Sequence, residues 1–260
     1  PAASTERLAV TKIVSVHSFR GGTGKSNTSA NLASLIAASG RKVAVMDTDI
    51  QSPGIHALFG FDTDLPGRTL NNYLWGDCSI VEVAHDVTDV VRATNVGVAD
   101  GGQLWRVPSS IKAADIAKVL RQGYDVELLN EGFRTLVKDL KLDVLIIDTH
   151  PGLNEETLLS ITISDTLLLI LRPDKQDYQG TAVTVDIARR LEVPELLLLV
   201  NKVPSNADLN AVIKEPAMRA RLLALGFTLV GGAPDHLSKI LAEDIVKWRN
   251  VSKSPAYSAQ

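Results

Sequence analysis

The chain has 260 residues, 45% of them hydrophobic and 22% charged, with a formal net charge of −3. That length and composition suit one large α/β domain with a substantial core, and the weakly acidic balance removes whole-molecule attraction to nucleic acid as an argument. Cys78 is the sole cysteine, which excludes an intrachain disulfide and a cysteine-rich metal site.

Pro1 to Val10 lacks the apolar core of a signal peptide, and no run reaches the ~18 consecutive apolar residues of a membrane span. A cytoplasmic setting is expected. Lys12 to Val16 reads as a short buried strand that runs into Ser18-Phe19-Arg20-Gly21-Gly22-Thr23-Gly24-Lys25-Ser26. Gly21, Gly22 and Gly24 permit positive φ and leave no Cβ in the way, so successive backbone N–H groups can turn inward on an anion. The next helix, predicted over Lys25 to Ala38, adds its unpaired N–H groups and the positive end of its dipole at the same spot. In that setting Lys25 would reach the β- and γ-phosphates of a nucleotide, and the Ser26 hydroxyl would ligate Mg²⁺.

Gly40 stops the helix, and Lys42 to Met46 reads as a second strand, which completes a βαβ unit. It ends in Asp47-Thr48-Asp49, two carboxylates at the strand edge where open α/β sheets bind ligands. Between Phe61 and Thr94 the pattern blurs. A short helix over Thr69 to Gly76 and a helical turn over Ile80 to Ala84 are expected there, and Asp77, Cys78, His85 and Asp86 lack the regular spacing of a metal site. Val90 to Ala99 alternates loosely, Leu104 to Pro108 reads as a strand, and helices follow near Ala113 to Gln122 and Val126 to Leu140.

Val144 to Asp148 is the strongest strand, an unbroken apolar run of the kind buried on both faces, and it ends in an acid. Thr166 to Leu171 and Leu196 to Val200 are expected as two more buried strands, with a helix from Tyr178 to Leu191 between them. Asn201, just after the last of these, can pair its amide with an adenine edge or serve as an ordinary turn residue. A helix over Lys214 to Leu225, a strand over Phe227 to Val230 and a helix over His236 to Trp248 complete residues 1–250, read as a single domain. Residues 251–260, rich in Ser, Pro and Ala, read as a disordered tail. The alternation predicts a doubly wound, mostly parallel sheet flanked by helices.

An ordinary phosphate loop, G-x-x-x-x-G-K-[ST], would place glycine where this chain has Phe19. The spacing instead resembles the deviant Walker A loop of the MinD/ParA ATPases, K-G-G-x-G-K-[ST], with Arg20 in place of that family's signature lysine. Asp47 to Asp49 resembles its first switch segment, and Asp148-Thr149-His150-Pro151-Gly152 resembles its D-x-x-P-G second switch.

The resemblance implies a homodimer that sandwiches ATP and Mg²⁺. Lys25, Asp49 and Arg20 would carry the chemistry, with Asp49 orienting the attacking water and Arg20 reaching the partner's nucleotide. Gly21, Gly22, Thr23, Gly24, Lys25, Ser26, Asn27, Gly152, Asn201 and Pro234 would bind the nucleotide, Pro234 within a loop that closes over the base. Ser26, Asp49 and Asp148 would hold the metal. The implied function is a slow ATP-timed switch that positions a cargo such as a division site, DNA, a flagellum or a protein compartment, with a protein activator or cargo adaptor. Its working surface is left open between nonspecific DNA, through basic residues between Arg189 and Lys253, and membrane. Iron–sulfur scaffold ATPases need paired or bridging cysteines, which one cysteine does not supply. An amidoligase related to dethiobiotin synthetase is the enzyme alternative.

Overall fold

The computed structural model describes residues 11–60, 67–94, 96–204, 215–217 and 219–220. The chain divides into two units, 1–203 and 204–260, and all the elements named below lie in the first. They are β1 (Lys12–His17), α1 (Lys25–Ala38), β2 (Lys42–Asp47), α2 (Leu70–Leu74), β3 (His85–Asp86), α3 (Thr88–Arg92), β4 (Gln103–Val107), α4 (Ala113–Gln122), α5 (Val126–Asp139), β5 (Val144–Asp148), α6 (Glu155–Thr162), β6 (Thr166–Leu171), α7 (Lys175–Arg190) and β7 (Glu195–Val200), with 3₁₀ turns at Ala57–Phe59 and Val81–Val83. The readings over Lys214 to Leu225, Phe227 to Val230, Pro234 and His236 to Trp248, and the tail, lie largely or wholly outside the described residues.

The strands form one seven-stranded sheet in the order β3-β4-β2-β5-β1-β6-β7, parallel throughout except for the short β3. The chain runs from β1 past β5 to β2, then later crosses to β6 on the other flank of β1. Strand order therefore reverses at β1, and such a switch point opens a crevice at the carboxyl ends of the strands. This is the doubly wound architecture that the alternation predicts.

Two hydrophobic clusters form the core. Val43 and Val45 of β2 join Ile146 of β5 under Ala30, Ala33 and Ala37 of α1. Ala44 and Met46 join Leu145 and Ile147 beneath Leu129, Phe133 and Leu136 of α5. The period of two in a strand sends alternate residues of these apolar runs into the two clusters, which is why both runs are apolar without interruption.

Four readings change. Val90 to Ala99 forms no strand among its described residues: helix α3 occupies Thr88–Arg92, its entry fixed by the Asp86 carboxylate accepting from Thr88 N at 2.8 Å. Helix α6 was not expected, although Asn154 caps it by accepting from Thr157 N at 2.8 Å. Helix α7 begins at Lys175 rather than Tyr178 because the Asp174 carboxylate accepts from Gln176 N and Asp177 N. Strand β7 is not buried: it is the last strand of the described sheet, and Leu197 and Leu198 are 45% and 37% exposed.

Candidate functional site

The site is built where β1, β5 and β2 end side by side. After β1 the chain turns through Gly22 at φ 74° and Gly24 at φ 98°, left-handed conformations that glycine adopts without penalty. Gly24 is the N-cap of α1, and a Cβ there would overlap the Asn201 side-chain amide. Helix α1 has no side-chain cap and no acidic residue in its first turn, so its orphan N–H groups and dipole are left to an anion. Lys25, only 7% exposed, turns its Nζ onto Asp148 Oδ1 at 3.2 Å. Ser26 is half-buried and Asn27 exposed in the same first turn.

Asp148, at the end of β5, is completely buried. Its Oδ1 also accepts from Ser29 Oγ at 2.9 Å, whereas Oδ2 has no hydrogen-bond partner. Ser29 follows Lys25 by one helical turn and so lies on the same face of α1; that spacing was a usable sequence signal. Asp47, register partner of Asp148 at the end of β2, is buried as well. Burial, and next the Asp148 charge, pushes its carboxyl up to about 7. Asp47 Oδ1 accepts from Asp49 N at 3.0 Å, while Oδ2 accepts from Gly54 N at 3.1 Å and Ile55 N at 3.2 Å. It therefore folds the loop that carries Asp49. Asp49 is 7% exposed, and its Oδ1 accepts from Ser52 N and Ser52 Oγ at 3.1 and 3.0 Å.

The segment after β5 supplies two further groups. Thr149 gives its hydroxyl proton to Val16 O at 3.1 Å, so the 2.8 Å contact with His17 Nδ1 has the ring as donor. Burial, then the positive Lys25, holds the His17 pKa down to about 3. His150 brings Nε2 to 3.8 Å from Asp49 Oδ1. Gly152, at φ 86°, donates its N–H to Ser18 O at 3.2 Å, which ties this segment to the glycine loop.

Other expected site residues lie at the rim. Thr23 is buried, and its carbonyl accepts from Asn201 Nδ2 at 2.8 Å; the Gly22 carbonyl accepts from Lys202 Nζ at 2.7 Å. Gly21 and Gly22 are exposed. Arg20 points away from Lys25 toward α7, where Nη1 donates to Gln176 Oε1 and lies 3.9 Å from Asp177 Oδ1. Lys25, Ser29, Asp47 and Asp148 thus form one buried cluster, with Asp49 and His150 beside it and Arg20 on a separate side. Ser29, Ser52, His17, Thr149 and His150 had no role in the sequence reading.

An AAA domain family profile matches residues 11–193. An uncharacterized ATP-binding protein of Methanocaldococcus jannaschii is 27% identical over 233 residues, which are 88% of this chain and 77% of that protein. The iron-sulfur cluster carrier protein of Escherichia coli is 27% identical over 251 residues, 92% of this chain, although the match spans only 60% of the carrier's own length. The cell division ATPase MinD of Pyrococcus furiosus superposes with a TM-score of 0.62 at 24% identity, over 80% of this chain and 79% of that one. The chain belongs to the AAA domain family, with the fold of the MinD/ParA P-loop ATPases.

Proposed function

We propose that the protein is a Mg²⁺-dependent ATPase that dimerises with ATP bound and hydrolyses it slowly to position a cellular cargo. The observation that carries this reading is the buried Asp148 carboxylate, with Lys25 on one oxygen and no partner on the other, beneath an uncapped helix N-terminus. A buried carboxylate oxygen without a donor is costly unless a ligand completes it. Ser26, Asp49 and Asp148 offer only oxygen ligands, which suits Mg²⁺, and Gly22 and Gly24 at positive φ shape the turn that leads into α1.

Phosphate charge would draw Lys25 from Asp148 to the β- and γ-oxygens, while the N–H groups of residues 21–27 surround the remainder. Magnesium would neutralise charge on the phosphates and would be held by Ser26, Asp148 and Asp49. Asp49, fixed by Ser52, orients the attacking water, and Gly152 can exchange its bond to Ser18 for one to the γ-phosphate. Asn201 braces the loop through Thr23 and can turn to the adenine. Residues 1–250 would act as one ATPase domain.

The P. furiosus protein is a cell division ATPase, in keeping with a positioning role. The iron–sulfur carrier is the more similar in sequence, 27% against 24% identical, but this sequence has Cys78 alone to offer a cluster. No helix among the described residues is long and apolar enough to cross a membrane. A peripheral role on membrane or nucleoid is tested by cosedimentation of the ATP-loaded protein with liposomes and with nonspecific duplex DNA. Calorimetry of Lys25→Ala tests the ATP site: affinity should be lost, and undiminished affinity rejects the assignment. Light scattering tests the switch: wild type should dimerise with ATP and Asp49→Ala should accumulate the dimer, whereas monomers in both reject it.

A further inference from the structure

Two consecutive residues after β7 reach the glycine loop through its carbonyls. Asn201 Nδ2 donates to Thr23 O at 2.8 Å, and Lys202 Nζ donates to Gly22 O at 2.7 Å. Asn201 is itself pinned to the sheet, its N–H donating to Leu171 O at the end of β6 at 2.8 Å. Lys202 holds a left-handed backbone, φ 56°, which a residue with a side chain adopts rarely and at a cost. Among the described residues, the other non-glycine positions of this kind are Lys141 and Glu192. Both directly follow the C-caps of helices, α5 and α7, where a left-handed residue is ordinary. Lys202 ends no helix; it follows a strand and meets the phosphate loop.

A trans peptide is planar, with its C=O and N–H on opposite sides, and no peptide bond among the described residues is cis. The Gly22 carbonyl shares its peptide with the Thr23 N–H, and the Thr23 carbonyl shares its peptide with the Gly24 N–H. Drawing both carbonyls toward residues 201 and 202 therefore turns both N–H groups the other way. Among the described residues no backbone carbonyl accepts from either N–H, which leaves the pair to an anion.

We propose that Lys202 is a positioning residue of the phosphate loop: its ammonium holds the Gly22 carbonyl and so keeps the Thr23 N–H turned toward the bound phosphates. The proposal rests on the ATPase reading. Asn201 gives up its bond to Thr23 O when it turns to an adenine, whereas the Lys202 bond needs no such release. The feature of the ligand that Lys202 serves is the phosphate chain, not the base, and the bond that serves it is charge-assisted.

The first test needs no nucleotide. Nitrogen-15 relaxation of the full chain should give the Thr23 amide an order parameter near the ~0.85 of rigid backbone, with a clear fall in Lys202→Met toward the roughly 0.6 of flexible backbone. A flexible Thr23 amide in wild type, or an unchanged one in Lys202→Met, overturns the proposal. The second test is calorimetric. Lys202→Met should weaken ATP, ADP and inorganic tripolyphosphate, each with Mg²⁺, by a common factor of about five. Its kcat should stay within about twofold, so that the loss shows in KM. Lys202→Arg keeps the charge and the donors and should bind within about twofold of wild type. Lys202→Gly accepts the left-handed backbone without strain but has no donor; it should bind as poorly as Lys202→Met, and wild-type affinity in it overturns the proposal by showing that the position matters only as a turn. A loss confined to ATP and ADP, with tripolyphosphate unaffected, places Lys202 at the base or ribose and overturns it too, as does a loss in Lys202→Arg equal to that in Lys202→Met. Wild type that binds none of the three ligands rejects the ATPase reading, and the relaxation result still decides whether Lys202 holds the loop.

Discussion

Asp47 and Asp148 are register partners at the carboxyl ends of β2 and β5, two buried carboxylates side by side with Lys25 on Asp148. Burial and the neighbouring charge raise the Asp47 pKa from 3.8 to about 7. A raised carboxyl binds its proton more tightly in the folded state, so its contribution to stability is complete below about pH 4 and is lost as pH rises through about 7. In the nucleotide-free protein, wild type should lose stability relative to Asp47→Asn over that window, by at most about 1.4 kcal/mol per pH unit. The constant offset between the two proteins carries lost hydrogen bonds, so the slope is the quantity to read. Denaturant unfolding from pH 4 to 8 measures it, and parallel curves would contradict the burial argument.

His17 should act in the opposite sense. Its pKa falls from 6.5 to about 3 through burial and the Lys25 charge, so the unfolded chain takes up a proton that the folded one refuses. The stability this gives is complete above about pH 6.5 and drains away as pH falls toward 3. His17→Gln should flatten the curve below about pH 4, where Asp47 no longer opposes His17. Between about pH 4 and 6.5 the His17 and Asp47 slopes oppose each other, so wild type should look level where each single variant slopes. A flat Asp47→Asn curve between about pH 4 and 6.5 would show that His17 titrates normally.

Much of this arrangement was legible before the fold was known. Gly22 and Gly24 ahead of Lys25-Ser26 marked the loop and the start of α1, because glycine at positive φ and a helix opening leave few alternatives. The apolar runs ending in Asp47 and Asp148 marked central strands whose edge faces a ligand. The meeting of His150 with Asp49 was not legible, since it depends on the register of β2 against β5 and on the loop that Asp47 folds. The all-leucine run of β7 misled for a different reason: an apolar stretch does not reveal whether a strand has a neighbour on each side. Asn154 followed by Glu155 and Glu156 is the N-terminal signature of α6, but Pro151-Gly152 just before it reads equally as a loop.

Phe19, the residue that replaces the usual loop glycine, leans on Gly180 of α7, where an added Cβ would overlap its ring. Gly180→Ala should therefore destabilise the protein even though alanine favours a helix. The helix gain is about 1 kcal/mol, and forced overpacking costs about 1–3 kcal/mol. Pairing it with Phe19→Ala removes the clash, so in the Phe19→Ala background Gly180→Ala should turn neutral or stabilising. Thermal unfolding of the four proteins gives the coupling, and additivity would show that the ring moves aside freely.

Arg20 is the point of departure from the family's loop, and its contacts here are within its own chain. It donates to Gln176 Oε1 and lies 3.9 Å from Asp177 Oδ1, with its side chain 42% exposed. Asp177 does not depend on it. Arg172 already holds both Asp177 oxygens, through N at 2.9 Å and Nε at 3.0 Å on Oδ2 and Nη2 at 3.2 Å on Oδ1, and that bonding keeps the Asp177 pKa low. Asp177 is buried and already held by Arg172, so the long contact from the 42% exposed Arg20 adds little to it, whereas a charge-assisted bond to a phosphate is worth about 1.5–3 kcal/mol. In the proposed dimer, release of Arg20 toward a partner's nucleotide would exchange the weaker contact for the stronger, and its planar guanidinium suits bidentate phosphate binding. The expected result is that Arg20→Ala subunits mixed with Asp49→Ala subunits recover ATPase activity. In that heterodimer one site keeps Asp49 and receives its Arg20 from the Asp49→Ala partner. Gln176→Ala, which frees Arg20, should shift ATP-dependent dimerisation to lower protein concentration. Heterodimers that form but show no activity above either variant would place Arg20 at work within its own subunit.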